Sequence, residues 1–155
     1  MVEGIADRLA QRGLVLPKLA APLANYLPYC MHQGLLFVSG QLPLVDGKLT
    51  RTGKLGESVS IEDGKRAAEI CALNILAQAE AATGDLERIL RVVRVTVFVA
   101  SAPDFVDQPA VANGASDLLV DLLGDRGRHA RAAVGMASLP MNAPVEVDAI
   151  IACEP

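Results

Sequence analysis

The chain has 155 residues, 14 Lys and Arg against 18 Asp and Glu, and a formal net charge of −4 at neutral pH. That is one domain of ordinary size, long enough to bury a real core. An acidic balance argues against a protein that grips a nucleic-acid backbone, because such binding needs a basic footprint to release counterions. With 52% hydrophobic but only 3% aromatic residues and no Trp, the core has to be built from Ala, Val, Leu and Ile.

The mean hydropathy of +0.35 is high, yet no stretch approaches the roughly eighteen uninterrupted apolar residues of a spanning helix. Such apolarity implies a surface covered by another subunit, and we expect a homo-oligomer. The amino terminus, acidic early and without a basic segment leading into an apolar core, does not read as a signal peptide. Cys30, Cys71 and Cys153 are odd in number and lack metal spacing. They read as reduced, mostly buried small hydrophobes, which points to the cytoplasm. The alternative, a nucleophilic cysteine, finds no convincing base nearby in the sequence.

In chain order, a first helix is expected over Val2 to Arg12, ended by Gly13, with Ile5, Leu9 and Ala10 near one face. The stretch from Leu16 to Pro28 carries three prolines and should be extended. Gly34 to Ser39 reads as a buried strand emerging into Gly40-Gln41-Leu42-Pro43, and Val45-Asp46-Gly47-Lys48 as a tight hairpin turn. Ser60 begins the clearest helix, with Asp63 placed to reach back as in a capping box. Its wide apolar stripe, through Ala67, Ile70, Cys71, Leu73, Ile75 and Ala79 to a stop at Gly84, implies cover on more than one side.

Ile89 to Ala100 alternates as a strand, with Val93, Val95, Val97 and Val99 on one face. Asp107 as N-cap and Pro109 in the first turn open a helix that stops at Gly124. Two more strands are expected, Ala130 to Ala137 and Val145 to Ala152, around a connection containing prolines. Grouped strands with two helices between them point to an α+β sheet with both helices on one face. There are no repeats and no low-complexity linker, so the chain is one domain with residues 1–24 as an N-terminal extension.

Arg131, in the run His129-Ala130-Arg131-Ala132-Ala133-Val134, is the chemical anomaly. A guanidinium stays charged at any physiological pH and is not left in low dielectric without a partner, so an anion is expected for it. The bland alternative is a solvated arginine or one paired with a local carboxylate. Arg126, Arg128, His129 and Arg131 form the densest basic cluster, too few for a polyanion but enough for one small carboxylate or phosphate. His129 lies two positions from Arg131 on the same strand face, and a structural or loop role is favoured for it. With His32 it makes no metal site, and no metal is expected.

Ser39-Gly40-Gln41-Leu42-Pro43 after an apolar strand, Arg131 followed by Ala132-Ala133-Val134, and Leu139-Pro140 ahead of Val145-Glu146-Val147 together resemble the YjgF-like or Rid family, the reactive-intermediate imine deaminases. The likeness covers roughly Asn25 to Cys153; each motif alone is weak, and the ordered set is specific. The resemblance implies a chorismate-mutase-like fold, six mostly antiparallel strands with two helices on one face. It implies a homotrimer whose three clefts lie between subunits, and hydrolysis of 2-imino or enamine acids to 2-keto acids and ammonia without a cofactor. It further implies that Arg131 grips the substrate carboxylate, that Glu146 is the acid associated with the attacking water, and that Tyr26 lines the pocket. Asn113 on the second helix is similarly placed. Asn25-Tyr26-Leu27-Pro28 stands where the family has Gly-Pro-Tyr-Ser-Gln, Ala133 where it has a cysteine, and the first helix is an addition. These departures mark a divergent branch.

The residues support the same chemistry on their own terms. Arg131 can hold a carboxylate through two parallel charge-assisted bonds and so fix the adjacent C=N for attack. Glu146 could receive or relay the proton of water if burial raises its pKa; otherwise it is a surface carboxylate beside Asp148. Ser39 and Gly40 end a strand, where backbone groups can meet a ligand, although a plain turn with Gln41 bonding the loop reads equally. Three functions from different classes remain: an imine deaminase, a non-catalytic binder of a small carboxylate metabolite, and, disfavoured by charge and aromatic content, a ribonuclease.

Overall fold

The computed structural model describes residues 3–19, 21 and 24–154. Helix α1 (Ile5–Gln11) is followed by strands β1 (Tyr29–His32), β2 (Leu35–Gln41), β3 (Leu44–Val45) and β4 (Lys48–Leu49). Helix α2 (Ile61–Thr83), β5 (Ile89–Ala100), α3 (Gln108–Leu123), β6 (Ala130–Met136) and β7 (Val145–Cys153) complete the chain. One five-stranded sheet has the order β1-β2-β7-β5-β6, and β3-β4 is a separate hairpin. All pairs are antiparallel except β5–β6, which is parallel around α3. The α+β class and mostly antiparallel character are as expected. The single six-stranded sheet is not: five strands are continuous, and the chain beyond β2 turns away into the two-residue strands of the hairpin.

Local chemistry sets the element boundaries. Asp46 and Gly47 both take positive φ, 50° and 75°, the conformation a two-residue hairpin loop of this kind requires. Ser60 Oγ accepts from the Asp63 backbone N–H at 3.1 Å, but the Asp63 carboxylate does not return to complete a capping box. It is turned to Arg51 (3.3 Å) and Arg66 (3.4 Å) instead. Asp107 likewise makes no side-chain cap bond; its backbone carbonyl alone accepts from Ala110 and Val111. Helix α1 is shorter than expected. Gly4 caps it, and its expected first residue, Val2, lies outside the described residues, as does Pro22 of the proline-rich segment.

Both long helices cover one face of the sheet. Leu36, Val38, Val95, Val97, Val99, Val145, Val147 and Ile151 point beneath them, all nearly or fully buried. From Cys71 to Ala79 every residue of α2 is buried, because the sheet, α3 and the β3–β4 segment enclose it together. A Cβ at Gly114 would strike the backbone of Lys65, so α2 and α3 cross in close contact there. The expected valine face of β5 fails at Val93, which is 39% exposed while Val92 is fully buried. Register shifts against β7 between Ile89 and Arg91 and again between Val92 and Arg94 insert extra residues that invert the alternation.

The N-terminal extension is tied to the body. The Ile5 backbone N–H donates to Glu87 Oε1 at 2.6 Å, and Arg8 Nη1 donates to Leu122 O at 3.1 Å. Cys30 is exposed, unlike the expected buried small residue, because β1 is an edge strand; Cys71 and Cys153 are buried. Among the described residues, no helix is long and apolar enough to cross a membrane.

Candidate active site

Cross-strand register divides the expected site residues into two groups. Arg131 pairs with Val95, which pairs with Ala149, which pairs with Val38, a row on the helix-covered face. Glu146 pairs with Phe98, and Phe98 with Val134, a row on the uncovered face. Within one chain the arginine and the acid therefore lie on opposite faces of the sheet, with β5 between their strands.

The acid group surrounds a cavity of about 300 Å³, lined among others by Tyr26, Gly40, Gln41, Asn74, Gln78 and Glu146. It lies where β2 parts from its neighbour: the register against β7 shifts between Val38 and Gln41, so Ser39 and Gly40 bulge. Gly40 is required by the approach of Glu146, since a Cβ there would run into Glu146 Oε1. Burial first, and then the neighbouring Asp148 carboxylate, push the Glu146 pKa up from its ordinary value. Ser39 does not line the cavity. Its hydroxyl donates to Leu27 O at 2.7 Å, and its N–H to Pro28 O at 3.0 Å. It thereby straps the Tyr26–Pro28 segment against β2. Gln41 Nε2 donates to Ser39 O at 2.9 Å, stiffening the bulge.

Because Glu146 can swing but the backbone of Gly40 cannot retreat, Gly40→Ala should fold normally and displace the carboxylate. On the imine reaction proposed below we expect a fall of about 10²-fold in kcat, the effect of an ångström-scale misplacement. Near-wild-type turnover would show that this carboxylate position is not used.

The arginine group sits at the β6 edge. Arg131 Nη1 donates to Asn113 Oδ1 at 2.8 Å and to Ser116 Oγ at 3.1 Å, and Nη2 reaches Pro109 O at 3.5 Å, all on α3. Every partner is a neutral oxygen, and Arg131 makes no ion pair among the described residues. The rest of the basic cluster is engaged: Arg126 with Glu87 at 3.0 Å, Arg128 with Asp125 at 3.3 Å. Asn113 and Ser116 share Nη1 and Pro109 O takes one Nη2–H, which leaves the Nε–H and the other Nη2–H available along one edge of the guanidinium, the edge a carboxylate takes bidentately. Arg131 is exposed in the single chain, because β6 is an edge strand. The expected buried strand arginine is thus an exposed one, held by three hydrogen bonds and without a counter-ion among the described residues. Ala133, two residues on, packs against the helix-side core.

Sequence reasoning missed Ser116, Asn74 and Gln78. Ser116 Oγ stands 2.9 Å from His129 Nε2 while His129 Nδ1 stands 2.6 Å from Gly127 O. A carbonyl can only accept, so Nδ1 carries a proton; in the neutral ring Nε2 then accepts from Ser116, whose oxygen accepts from Arg131. His129 therefore has a structural role next to Arg131. Asn74 and Gln78, one turn apart in an otherwise apolar run of α2, were a readable signal: polar residues on a buried stripe have a task. No three His, Cys, Asp or Glu side chains among the described residues converge as a metal site would require.

A five-stranded mixed sheet with two helices on one face, and a cavity at a strand bulge, define a chorismate-mutase-like α+β domain. The family profile described as "YjgF/chorismate_mutase-like, putative endoribonuclease" matches residues 6–151, and the chain belongs to this YjgF-like, or Rid, family. It is 49% identical over 148 residues to Protein TCP17 of Trypanosoma cruzi, covering 95% of this chain and 92% of that one. It is 34% identical to the RutC family protein y4sK of Sinorhizobium fredii, covering 76% and 78% respectively. The crystal structure of Atu1372 from Agrobacterium tumefaciens, a protein of unknown function, is 53% identical with a TM-score of 0.92, over 97% of this chain and 92% of that chain.

Proposed function

We propose that the protein hydrolyses reactive 2-imino or enamine acids to 2-keto acids and ammonia, without a cofactor, in clefts between the subunits of a homotrimer. The observation that carries this reading is Arg131: a guanidinium held by three hydrogen bonds to α3, with a bidentate edge to spare and no carboxylate partner among the described residues. Its separation from the Glu146 cavity supports a cleft completed by a second copy, in which the β6 edge of one subunit faces the bulge of the next. The exposed Phe37 and Val134 on the uncovered sheet face supply apolar surface for that contact.

In the proposed cleft Arg131 clamps the substrate carboxylate and holds the C=N rigid. Water adds to the imine carbon as Glu146 takes one of its protons and passes it to the imine nitrogen, giving a carbinolamine. Glu146 then takes the carbinolamine hydroxyl proton as the carbonyl forms and delivers it to the amine as the C–N bond breaks, so that imine plus water yields keto acid plus ammonia. Tyr26 and Gln41 border the reacting groups. We place this activity in the cytoplasm, where three unpaired cysteines stay reduced.

The test follows the loss of imines generated in situ by an amino-acid oxidase, with light scattering of the same preparation. Accelerated hydrolysis and a mass three times the 16.3 kDa chain are expected. Tight keto-acid binding with no acceleration would establish a carboxylate-binding protein instead. RNA cleavage lost in Arg131→Ala would favour a ribonuclease.

A further inference from the structure

The inner wall of the Glu146 cavity contains an amide that the protein does not use. Gln78 is 6% exposed, its Oε1 is enclosed with no hydrogen-bond partner, and among the described residues no hydrogen bond engages its Nε2. Asn74, one turn earlier, is the opposite case. Its Nδ2 donates to Leu42 O (3.3 Å), Leu44 O (3.1 Å) and Ile70 O (3.1 Å), so it pins the segment leaving β2. Two amides line one cavity; the first is consumed by structure and the second is idle.

An enclosed amide without partners costs free energy, and native proteins keep few of them without reason. A primary amide offers an acceptor and donors side by side in one plane, and turning it over only exchanges their places. A carbamoyl group, which carries an acceptor and donors in one plane, can pair with whichever end of the amide is turned to the cavity. The cavity's charges narrow this further. Glu146 within it disfavours an acidic ligand end, and exposed Lys18 at its border disfavours a cationic one. Leu19, Leu42, Leu44 and Met141 supply apolar walls between, and a volume of about 300 Å³ exceeds the needs of a pyruvate-sized acid.

We propose that Gln78 determines specificity, and that the cavity takes 2-imino acids whose side chain is a short methylene chain ending in a neutral carbamoyl group, as a carboxamide or a ureide. The inference rests on the imine hydrolysis proposed above. Leu19 and Lys18 belong to the N-terminal extension, which thereby builds one wall of the subsite.

The experiment compares imines generated from glutamine and citrulline with those from norleucine and methionine, in the wild type and in Gln78→Met. Wild type should favour the carbamoyl imines by about ten-fold in kcat/KM, and Gln78→Met should bring that ratio near one. Met fills the same space without an unsatisfied amide, so its melting temperature should equal or exceed that of wild type. Calorimetry with the stable 2-keto acids of citrulline and norleucine separates the two proposals. Selective binding of the ureido acid that Gln78→Met abolishes, with no imine turned over, would uphold the subsite and overturn the deaminase. Turnover with the same ratio in both proteins, and equal keto-acid binding, would mean that Gln78 merely holds a water and would overturn the subsite alone.

Discussion

Arg131→Ala is expected to lower kcat/KM for imine hydrolysis by a factor of about thirty to several thousand, the roughly 2 to 5 kcal/mol lost when one partner of a desolvated charge pair is removed. The fold should survive. Arg131 is exposed, its partners are the neutral oxygens of Asn113, Ser116 and Pro109, and its removal strands no buried charge. Arg131→Lys restores the charge but not the two parallel donors, so it should recover only a small part of the loss. Steady-state kinetics beside thermal melts decide the matter. An Arg131→Ala protein that melts as wild type and turns over as wild type would remove the clamp from the mechanism.

Glu146→Gln is expected to reduce kcat by about 10² to 10⁴-fold, the usual worth of a positioned proton-transfer group, and yet to stabilise the fold at neutral pH. Burial and Asp148 raise the pKa of Glu146 in the folded chain. Between the ordinary carboxylate value and that raised value, the native state holds a proton the unfolded chain has released. Stability from this group is therefore complete below the unfolded pKa and is lost as pH rises through the folded one. Denaturant titrations should show that decline in wild type and its absence in Glu146→Gln. Activity runs the other way, because the base must be deprotonated. The acid limb of wild-type kcat/KM should lie above the ordinary carboxylate range and move down in Asp148→Asn. A limb unmoved by Asp148→Asn would show that another group sets the profile.

Much of the fold was readable because it depends on neighbours in sequence. The Asp46-Gly47 turn, the Ser60 start and the stops at Gly84 and Gly124 are local backbone chemistry, and the structure places each where the residues put it. The bulges at Ser39–Gly40 and around Val93 were not readable, because a bulge exists only relative to the partner strand β7. The misplaced face of Val93 follows from that. So does the setting of Glu146, whose room comes from the bulged Gly40 across the ladder.

The site was legible in its residue types more than in its arrangement. A charged arginine in an apolar run announced itself, and so did a glycine at the end of a strand. That Arg131 and Glu146 occupy opposite faces was already latent in strand alternation, but it needed the register of β5 with both β6 and β7. Gln78 went unread because a polar residue on a wide helical stripe looks like ordinary tolerance until the enclosing elements are known.

The sequence alone determined the two long helices and the strands β2, β5, β6 and β7, where most of them end, and which two ionisable groups are candidates for the chemistry, since propensity, capping and charge are properties of adjacent residues; it missed the edge strand β1, whose four residues are a strand only by pairing with β2. Only the tertiary structure decided that Arg131 is an exposed edge residue whose partners among the described residues are neutral oxygens, that a strand bulge opens the cavity beside Glu146, and that an unused amide stands within it. Those are facts of pairing and enclosure, which arise when distant segments meet and desolvate one another.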